Sequence, residues 1–236
     1  MVEVTRKKIK NYIVCLDNRL GSGNFGQVFK SYSQDDISQI FAIKQISRSK
    51  VPESKMVNFL LDLGREITTM MKLSHDNILK LKDYVCTDNN FYLITEYCEG
   101  GDLTNIKSTL KYENILTILK QITKAMLHAN SLKIIHRDLK PQNILIHDNI
   151  IKIGDFGLAR ILDDDNKMTP LTGTPAYMAP EIFSLRNYSE KCDMWSTGIM
   201  LYELVFRKHP WKEDNAQPLG EYMFFEKKKL LWIFPL

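Results

Sequence analysis

The residues best suited to chemistry lie in two strings, His136-Arg137-Asp138-Leu139-Lys140-Pro141-Gln142-Asn143 and Asp155-Phe156-Gly157. Asp138 can take a proton from a hydroxyl, and Lys140 brings a positive charge. Asn143 and Asp155 offer hard oxygen ligands suited to Mg²⁺. Between the strings, Ile144-Leu145-Ile146 and Ile150-Ile151-Lys152-Ile153 read as two short strands joined by the turn His147-Asp148-Asn149. Such a hairpin would bring Asn143 and Asp155 to neighbouring strand ends, near enough to share one metal. A polar loop followed by an unrelated hairpin is the plain alternative, and two such strings at this spacing leave it little weight.

Earlier elements must position these groups. A strand beginning at Tyr12-Ile13-Val14 runs into Gly21-Ser22-Gly23-Asn24-Phe25-Gly26-Gln27-Val28. The G-x-G-x-x-G spacing alone is shared with dinucleotide-binding folds, which require a helix after the last glycine. Here Gln27-Val28-Phe29-Lys30-Ser31-Tyr32 alternates with a strand's period of two. Strand, glycine turn and strand make a flap whose backbone N–H groups can close over phosphates. In Phe41-Ala42-Ile43-Lys44 a lysine sits in an apolar strand, where it either snorkels outward or holds an anion.

Residues 55–73 carry Met56, Leu60, Leu61, Leu63, Ile67, Met70 and Met71 at mixed i+3 and i+4 spacing, which predicts a helix bearing Glu66. Gly64 lowers that helix's stability. Residues 79–81 and 91–97 read as strands around a turn at 88–90. Asp102 reads as the N-cap of a short helix, and residues 114–127 as an apolar core helix.

The chain's 236 residues fit one large domain or two small lobes, and a net charge of +4 gives no argument for nucleic acid. The basic run Arg6-Lys7-Lys8 reads as solvated surface. Four scattered cysteines make neither a zinc site nor a disulfide framework. With no signal peptide and no membrane-spanning run, the expected location is cytoplasmic, with the nucleus open.

From residue 12 to about residue 211 these motifs resemble the eukaryotic protein kinases. The resemblance implies an α+β, two-lobed fold over residues 12–236. Residues 12–97 form a small β-rich N-lobe with one main helix, residues 98–211 a larger helical C-lobe lacking its last helices, and residues 212–236 a divergent tail. It implies Mg·ATP as cofactor and a protein substrate with a Ser/Thr acceptor. Gly21, Ser22, Gly23, Asn24, Phe25 and Gly26 would cover the phosphates, and Val28 and Ala42 would roof the adenine. Thr95, Glu96, Cys98 and Leu145 would complete the nucleotide site. Lys44, paired with Glu66, would hold the phosphates, and Asn143 and Asp155 the metal. Asp138 would orient the acceptor hydroxyl, Lys140 contact the γ-phosphate, and Thr174 bond near both. Asp193-Met194-Trp195-Ser196-Thr197-Gly198-Ile199 resembles the buried anchor helix of the protein kinases, in which the aspartate, costly to bury unless hydrogen-bonded, accepts backbone N–H bonds from the loop that carries Asp138. Thr169 and Thr172 are the candidate phosphosites for an upstream kinase. Glu96-Tyr97-Cys98-Glu99-Gly100-Gly101-Asp102-Leu103 and Lys140-Pro141-Gln142-Asn143-Ile144-Leu145 look most like the autophagy-initiating ULK-type kinases, with NEK and calcium/calmodulin-type kinases close.

The resemblance is expected to stop after His209-Pro210-Trp211. No arginine follows Arg207, so Glu181 should lack its usual partner and be buried unpaired. The apolar tail reads first as truncation, then as an improvised helix, and last as a partner- or membrane-binding segment. The rival function is a catalytically silent kinase fold acting as scaffold or nucleotide-binding regulator. Lys44, Asp138, Asn143 and Asp155 are all present, which argues against it.

Overall fold

The computed structural model describes residues 5–22, 26–161, 173–183 and 189–210. Gly23, Asn24 and Phe25, the threonines Thr169 and Thr172, and residues 212–236 lie outside that set. The chain divides into two units, Met1–Gly101 with Leu145–Gly157, and Asp102–Ile144 with Leu158–Leu236.

The first unit opens with β1 (Arg6–Ile9), β2 (Tyr12–Ser22), β3 (Gly26–Ser33) and β4 (Ile40–Ser47), followed by helix α1 (Met56–Lys72), β5 (Leu81–Cys86) and β6 (Asn90–Glu96). The six strands form one antiparallel sheet in the order β1-β2-β3-β4-β6-β5. A strand follows the glycine turn directly, as the two-residue alternation predicts. Gly21 pairs with Val28 and Ser22 with Gln27 across that turn. A Cβ on Gly26 would collide with the backbone carbonyl oxygen of Gln45, so only glycine lets β3 lie this close to β4.

Residues directly opposite in an antiparallel pair share a face, and faces alternate along each strand. The register pairs Val28 with Lys44 and Ala42 with Thr95, so these four side chains occupy one face. On that face Ile46, Leu63, Phe91 and Leu93 form a core beneath α1. The opposite face buries Phe29, Ile43, Tyr92 and Ile94 with Ile9 and Val14. Helix α1 buries Leu63, Glu66, Thr69 and Met70, whereas Leu60, Leu61 and Met71 of the expected apolar face are exposed. A single stripe of the helix reaches the sheet, and the remaining apolar residues point away from it. The strand expected at residue 79 starts only at Leu81, because Leu79 donates its N–H to Ile153 at 2.9 Å and Ile78 bridges the same residue.

The chain enters the second unit with α2 (Leu103–Ile106), α3 (Tyr112–Ser131) and β7 (Ile134–Ile135). Asp102 caps α2 by accepting the Thr104 N–H at 2.8 Å, as expected. Helix α3 buries Ile115, Ile118, Ile122, Ala125, Met126 and Ala129, a continuous stripe at helical period. The hairpin β8 (Ile144–His147) and β9 (Ile150–Ile153) then returns the chain to the first unit. Asp148 and Asn149 turn it with φ of 47° and 62°, the left-handed values that a two-residue hairpin loop requires. Gly100 donates its N–H to Ile146 and Gly101 accepts one from Ile146, at 3.0 and 2.9 Å. That pairing joins residues up to Gly101 to the hairpin within the first unit.

β10 (Arg160–Ile161) pairs with β7, and α4 (Pro180–Phe183) and α5 (Lys191–Phe206) complete the described elements. Helix α5 buries a mixed stripe of Cys192, Asp193, Ser196, Ile199, Met200, Glu203 and Leu204. Asp193, only 2% exposed, accepts the backbone N–H groups of His136 and Arg137, each at 2.8 Å. Burial raises its pKa, while His136, Arg137 and the two N–H groups oppose that shift.

Asp193→Ala strips two N–H donors of their acceptor. Leaving them unsatisfied costs roughly 2–5 kcal/mol, to be read from denaturant unfolding, and an unchanged midpoint would remove Asp193 as the anchor. A second prediction concerns Glu99, which accepts the Asp148 N–H at 2.7 Å and pairs with His147 Nδ1 at 2.6 Å. The Asp148 bond chiefly, with His147, lowers its pKa from 4.5 to about 2. A depressed carboxylate pKa adds stability above the unfolded value and loses it as pH falls toward the folded one. Glu99→Gln should therefore melt below wild type near neutral pH, with the gap closing between 4.5 and about 2.

Candidate active site

In the first unit, strand β4, helix α1 and the end of the hairpin each supply one charged group. Lys44 Nζ lies 3.1 Å from Glu66 Oε1 and 3.3 Å from Asp155 Oδ1. Glu66 is buried, whereas the Asp155 side chain is 50% exposed. Desolvation would lower the Lys44 pKa, but the charges and hydrogen bonds of Glu66 and Asp155 outweigh it and the net direction is up. The ammonium is therefore held charged on the α1 face of the sheet. Asp155 adopts φ 57°, a left-handed value uncommon outside glycine.

Val28, Ala42 and Thr95 share that face with Lys44, and Thr95 Oγ1 donates to the Ala42 carbonyl at 3.4 Å. Glu96 spends its side chain on structure, accepting the Lys80 N–H at 2.7 Å and pairing with Lys152 at 3.1 Å. Cys98 is buried, and burial pushes its thiol up to about 12, so it stays neutral. Leu145 lies in β8, a half-buried member of the hairpin. Gly21 and Ser22 end β2 and Gly26 begins β3, while the tip of the turn lies outside the described residues.

In the second unit the side chains of Asp138, Lys140, Asn143 and Thr174 form one hydrogen-bonded cluster. Asp138 Oδ1 accepts the Thr174 N–H at 2.8 Å and its hydroxyl at 2.7 Å. Asp138 Oδ2 accepts from Lys140 Nζ at 2.7 Å and from Asn143 Nδ2 at 3.2 Å. Lys140 Nζ also donates to Thr174 Oγ1 at 2.7 Å. Asn143 Nδ2 bonds the Asp138 backbone carbonyl at 2.8 Å as well, which leaves Oδ1 as the amide's atom for a cation. Gly173 brings Thr174 to the loop with φ 123°, and a Cβ there would sit 2.7 Å from the Arg137 carbonyl oxygen. The expected grouping of Thr174 with Asp138 and Lys140 is thus present.

The sequence reading missed Glu203 and Lys107. Buried Glu203 accepts the Tyr177 hydroxyl at 2.5 Å and pairs with Lys107 Nζ at 2.8 Å. Its desolvation favours a raised pKa, but the Lys107 and Tyr177 hydrogen bonds prevail and lower it. Burial first, then Glu203, raises the Tyr177 pKa. Ser196 Oγ donates to the Tyr177 carbonyl at 2.8 Å, so two residues of α5 fix the segment that carries Thr174. The available signal was a glutamate in the apolar run Gly198-Ile199-Met200-Leu201-Tyr202-Glu203-Leu204-Val205-Phe206, ten residues after Asp193. The expectation for Glu181 is corrected: it is half-buried rather than buried, and it does not stand without an interaction.

Among the described residues no three His, Cys, Asp or Glu side chains group as a metal cage. Asn143 Oδ1 in the second unit and the Asp155 carboxylate in the first are each hard oxygen donors of the kind Mg²⁺ takes, alongside waters. No described helix is long and apolar enough to cross a membrane.

The sequence matches the family described as "Protein kinase domain" over residues 15–233, so the likeness continues well past residue 211, where the motifs alone had ended it. Among curated proteins it is 38% identical to serine/threonine-protein kinase atg1 of Dictyostelium discoideum, over 95% of this chain and 34% of that protein. It is 37% identical to the human serine/threonine-protein kinase ULK1, over 90% of this chain and 21% of that one. The Xenopus laevis serine/threonine-protein kinase ULK3 is 34% identical, over 90% of this chain and 46% of the relative. The chain therefore spans less than half the length of each of these relatives. Its sheet, its helices and the matched span agree: the chain belongs to the protein kinase family, with ULK-type serine/threonine kinases among its relatives.

Proposed function

We propose that this chain transfers the γ-phosphoryl group of Mg·ATP to a serine or threonine hydroxyl of a protein. The observation carrying this reading is the Asp138 carboxylate, fixed by Lys140, Asn143 and Thr174. A bond forms between the acceptor oxygen and the γ-phosphorus, the bond to the β–γ bridging oxygen breaks, and ADP leaves. Asp138 orients the hydroxyl and receives its proton. The Thr174 hydroxyl donates to the same carboxylate and is itself an alcohol, so an incoming serine or threonine can take a bond of the same kind. Lys140 offsets the charge that gathers on the transferring group.

Lys44, oriented by Glu66, would hold the α- and β-phosphates, with Gly21, Ser22, Gly23, Asn24, Phe25 and Gly26 over them. Val28, Ala42, Leu145, Thr95 and the backbone at Glu96 and Cys98 would enclose the adenine. Asn143 Oδ1 and Asp155 would hold Mg²⁺, which would supply positive charge to offset the phosphate oxygens. Thr169 or Thr172 would accept phosphate from an upstream kinase. The four cysteines are free thiols, which suits a reducing cytoplasmic or nuclear setting. A silent scaffold is the weaker reading, because the nucleotide, metal and proton-accepting groups are all present.

The test is radiolabelled phosphate transfer from ATP to a generic basic protein, beside Asp138→Asn and Lys44→Met. Each substitution should lower the rate by at least about a hundredfold, with folding checked by circular dichroism. Transfer that survives Asp138→Asn undiminished would remove Asp138 from its role, and no transfer by folded wild type would favour the scaffold.

A further inference from the structure

Behind the strands that carry the glycine turn lies a cavity of about 400 Å³, lined by Lys7, Leu16, Arg19, Gln27, Phe29 and Gln45. Gln27 pairs with Gln45 and Arg19 with Phe29, which puts these four side chains on the sheet face opposite Lys44. Lys7 reaches the same face from β1. Its Nζ donates to the Tyr92 hydroxyl at 3.1 Å and lies 5.7 Å from the ring centre, and Tyr92 pairs with Gln45.

The lining has a definite chemistry. It contains two cations, two amides and two apolar side chains, and no carboxylate. Neither Lys7 nor Arg19 forms an ion pair among the described residues. Gln45 already commits Nε2 to Asn90 Oδ1 at 3.1 Å. Phe29 is buried and Leu16 half-buried, so the floor is apolar while the cations supply the charge. A bare inorganic anion would leave that floor uncovered. A neutral apolar molecule would displace water from the cations without pairing them, which is unfavourable. The size falls within the range of small-molecule sites.

We propose that this cavity binds a small organic anion, a phosphate or carboxylate joined to an aromatic or short aliphatic body. The acidic group pairs with Lys7 and Arg19, and the body covers Leu16 and Phe29. Such a ligand ties β1, β2, β3 and β4 together behind Gly21, Ser22 and Gly26, which makes it a handle on the glycine turn from the far side of the sheet. The inference does not depend on the nucleotide reading, since Lys44 faces the other way.

Calorimetric titration of the full chain with phenyl phosphate tests this, repeated with inorganic phosphate and with benzyl alcohol. Saturable 1:1 binding is expected, about tenfold or more tighter than either half-molecule. Arg19→Glu, at an exposed position, and the pair Lys7→Gln with Arg19→Gln should each weaken it by at least about tenfold, with wild-type circular dichroism. Undiminished affinity in both variants overturns the proposal, as does phenyl phosphate binding no tighter than inorganic phosphate. Binding lost in Lys44→Met but kept in the Arg19 variants places the probe on the other face and equally overturns it. None of these results alters the phosphate-transfer assay, so the two readings fail separately.

Discussion

Helix α5 carries three buried polar side chains, Asp193, Ser196 and Glu203, and the second unit is arranged to satisfy them. An unpaired polar group inside a protein costs more than most single apolar contacts return. Each therefore recruits a partner from an irregular stretch: Asp193 takes the N–H groups of His136 and Arg137, Ser196 the Tyr177 carbonyl, and Glu203 the Tyr177 hydroxyl. Those stretches carry Asp138 and Thr174. Regular helix geometry is in this way transmitted to two loops that have no geometry of their own.

The first unit solves a different problem, that of keeping a lysine charged inside a sheet. Two carboxylates face one ammonium, and they come from separate elements, α1 and the segment after β9. A single partner would leave Lys44 free to swing; two, at 3.1 and 3.3 Å, fix its direction. The Asp155 carboxylate is half exposed to solvent, whereas Glu66 is buried beside Lys44. The two carboxylates therefore hold the same ammonium from environments of different polarity.

Much of this was legible in the letters, and for physical reasons. The hairpin announced itself through Ile144-Leu145-Ile146 and Ile150-Ile151-Lys152-Ile153, because alternation and turn residues are local signals. The strand after the glycine turn was legible for the same reason. Asp193 stood out as a charge in an apolar helix, but its two donors lie more than fifty residues away and only the family pattern pointed to them. Glu203 and Lys107 were overlooked although the signal for Glu203 resembled that for Asp193, since no motif drew attention to it. Strand β1 was hidden by Arg6-Lys7-Lys8, whose charge suggested open solvent. The register of β1 on β2 buries Ile9 and half-buries Lys7 instead. The unused apolar side of α1 was hidden too, because periodicity marks which residues could be buried and not which ones have something to be buried against.

The arrangement at Asp138 also explains why a short polar loop can be as well defined as a strand. The carboxylate accepts from three side chains and one backbone N–H, and two of those side chains, Lys140 and Thr174, bond each other. Rotating Asp138 would break several of these bonds at once, so no single loss can be traded for a new contact. Thr174 is the member held twice, through its hydroxyl and its backbone N–H. Loss of the hydroxyl bond alone would leave Lys140, Asn143 and the Thr174 N–H in place, so the carboxylate would keep its direction. For the transfer proposed above, positioning of that kind, rather than an unusually reactive side chain, is what a loose phosphoryl transition state requires of the protein around it.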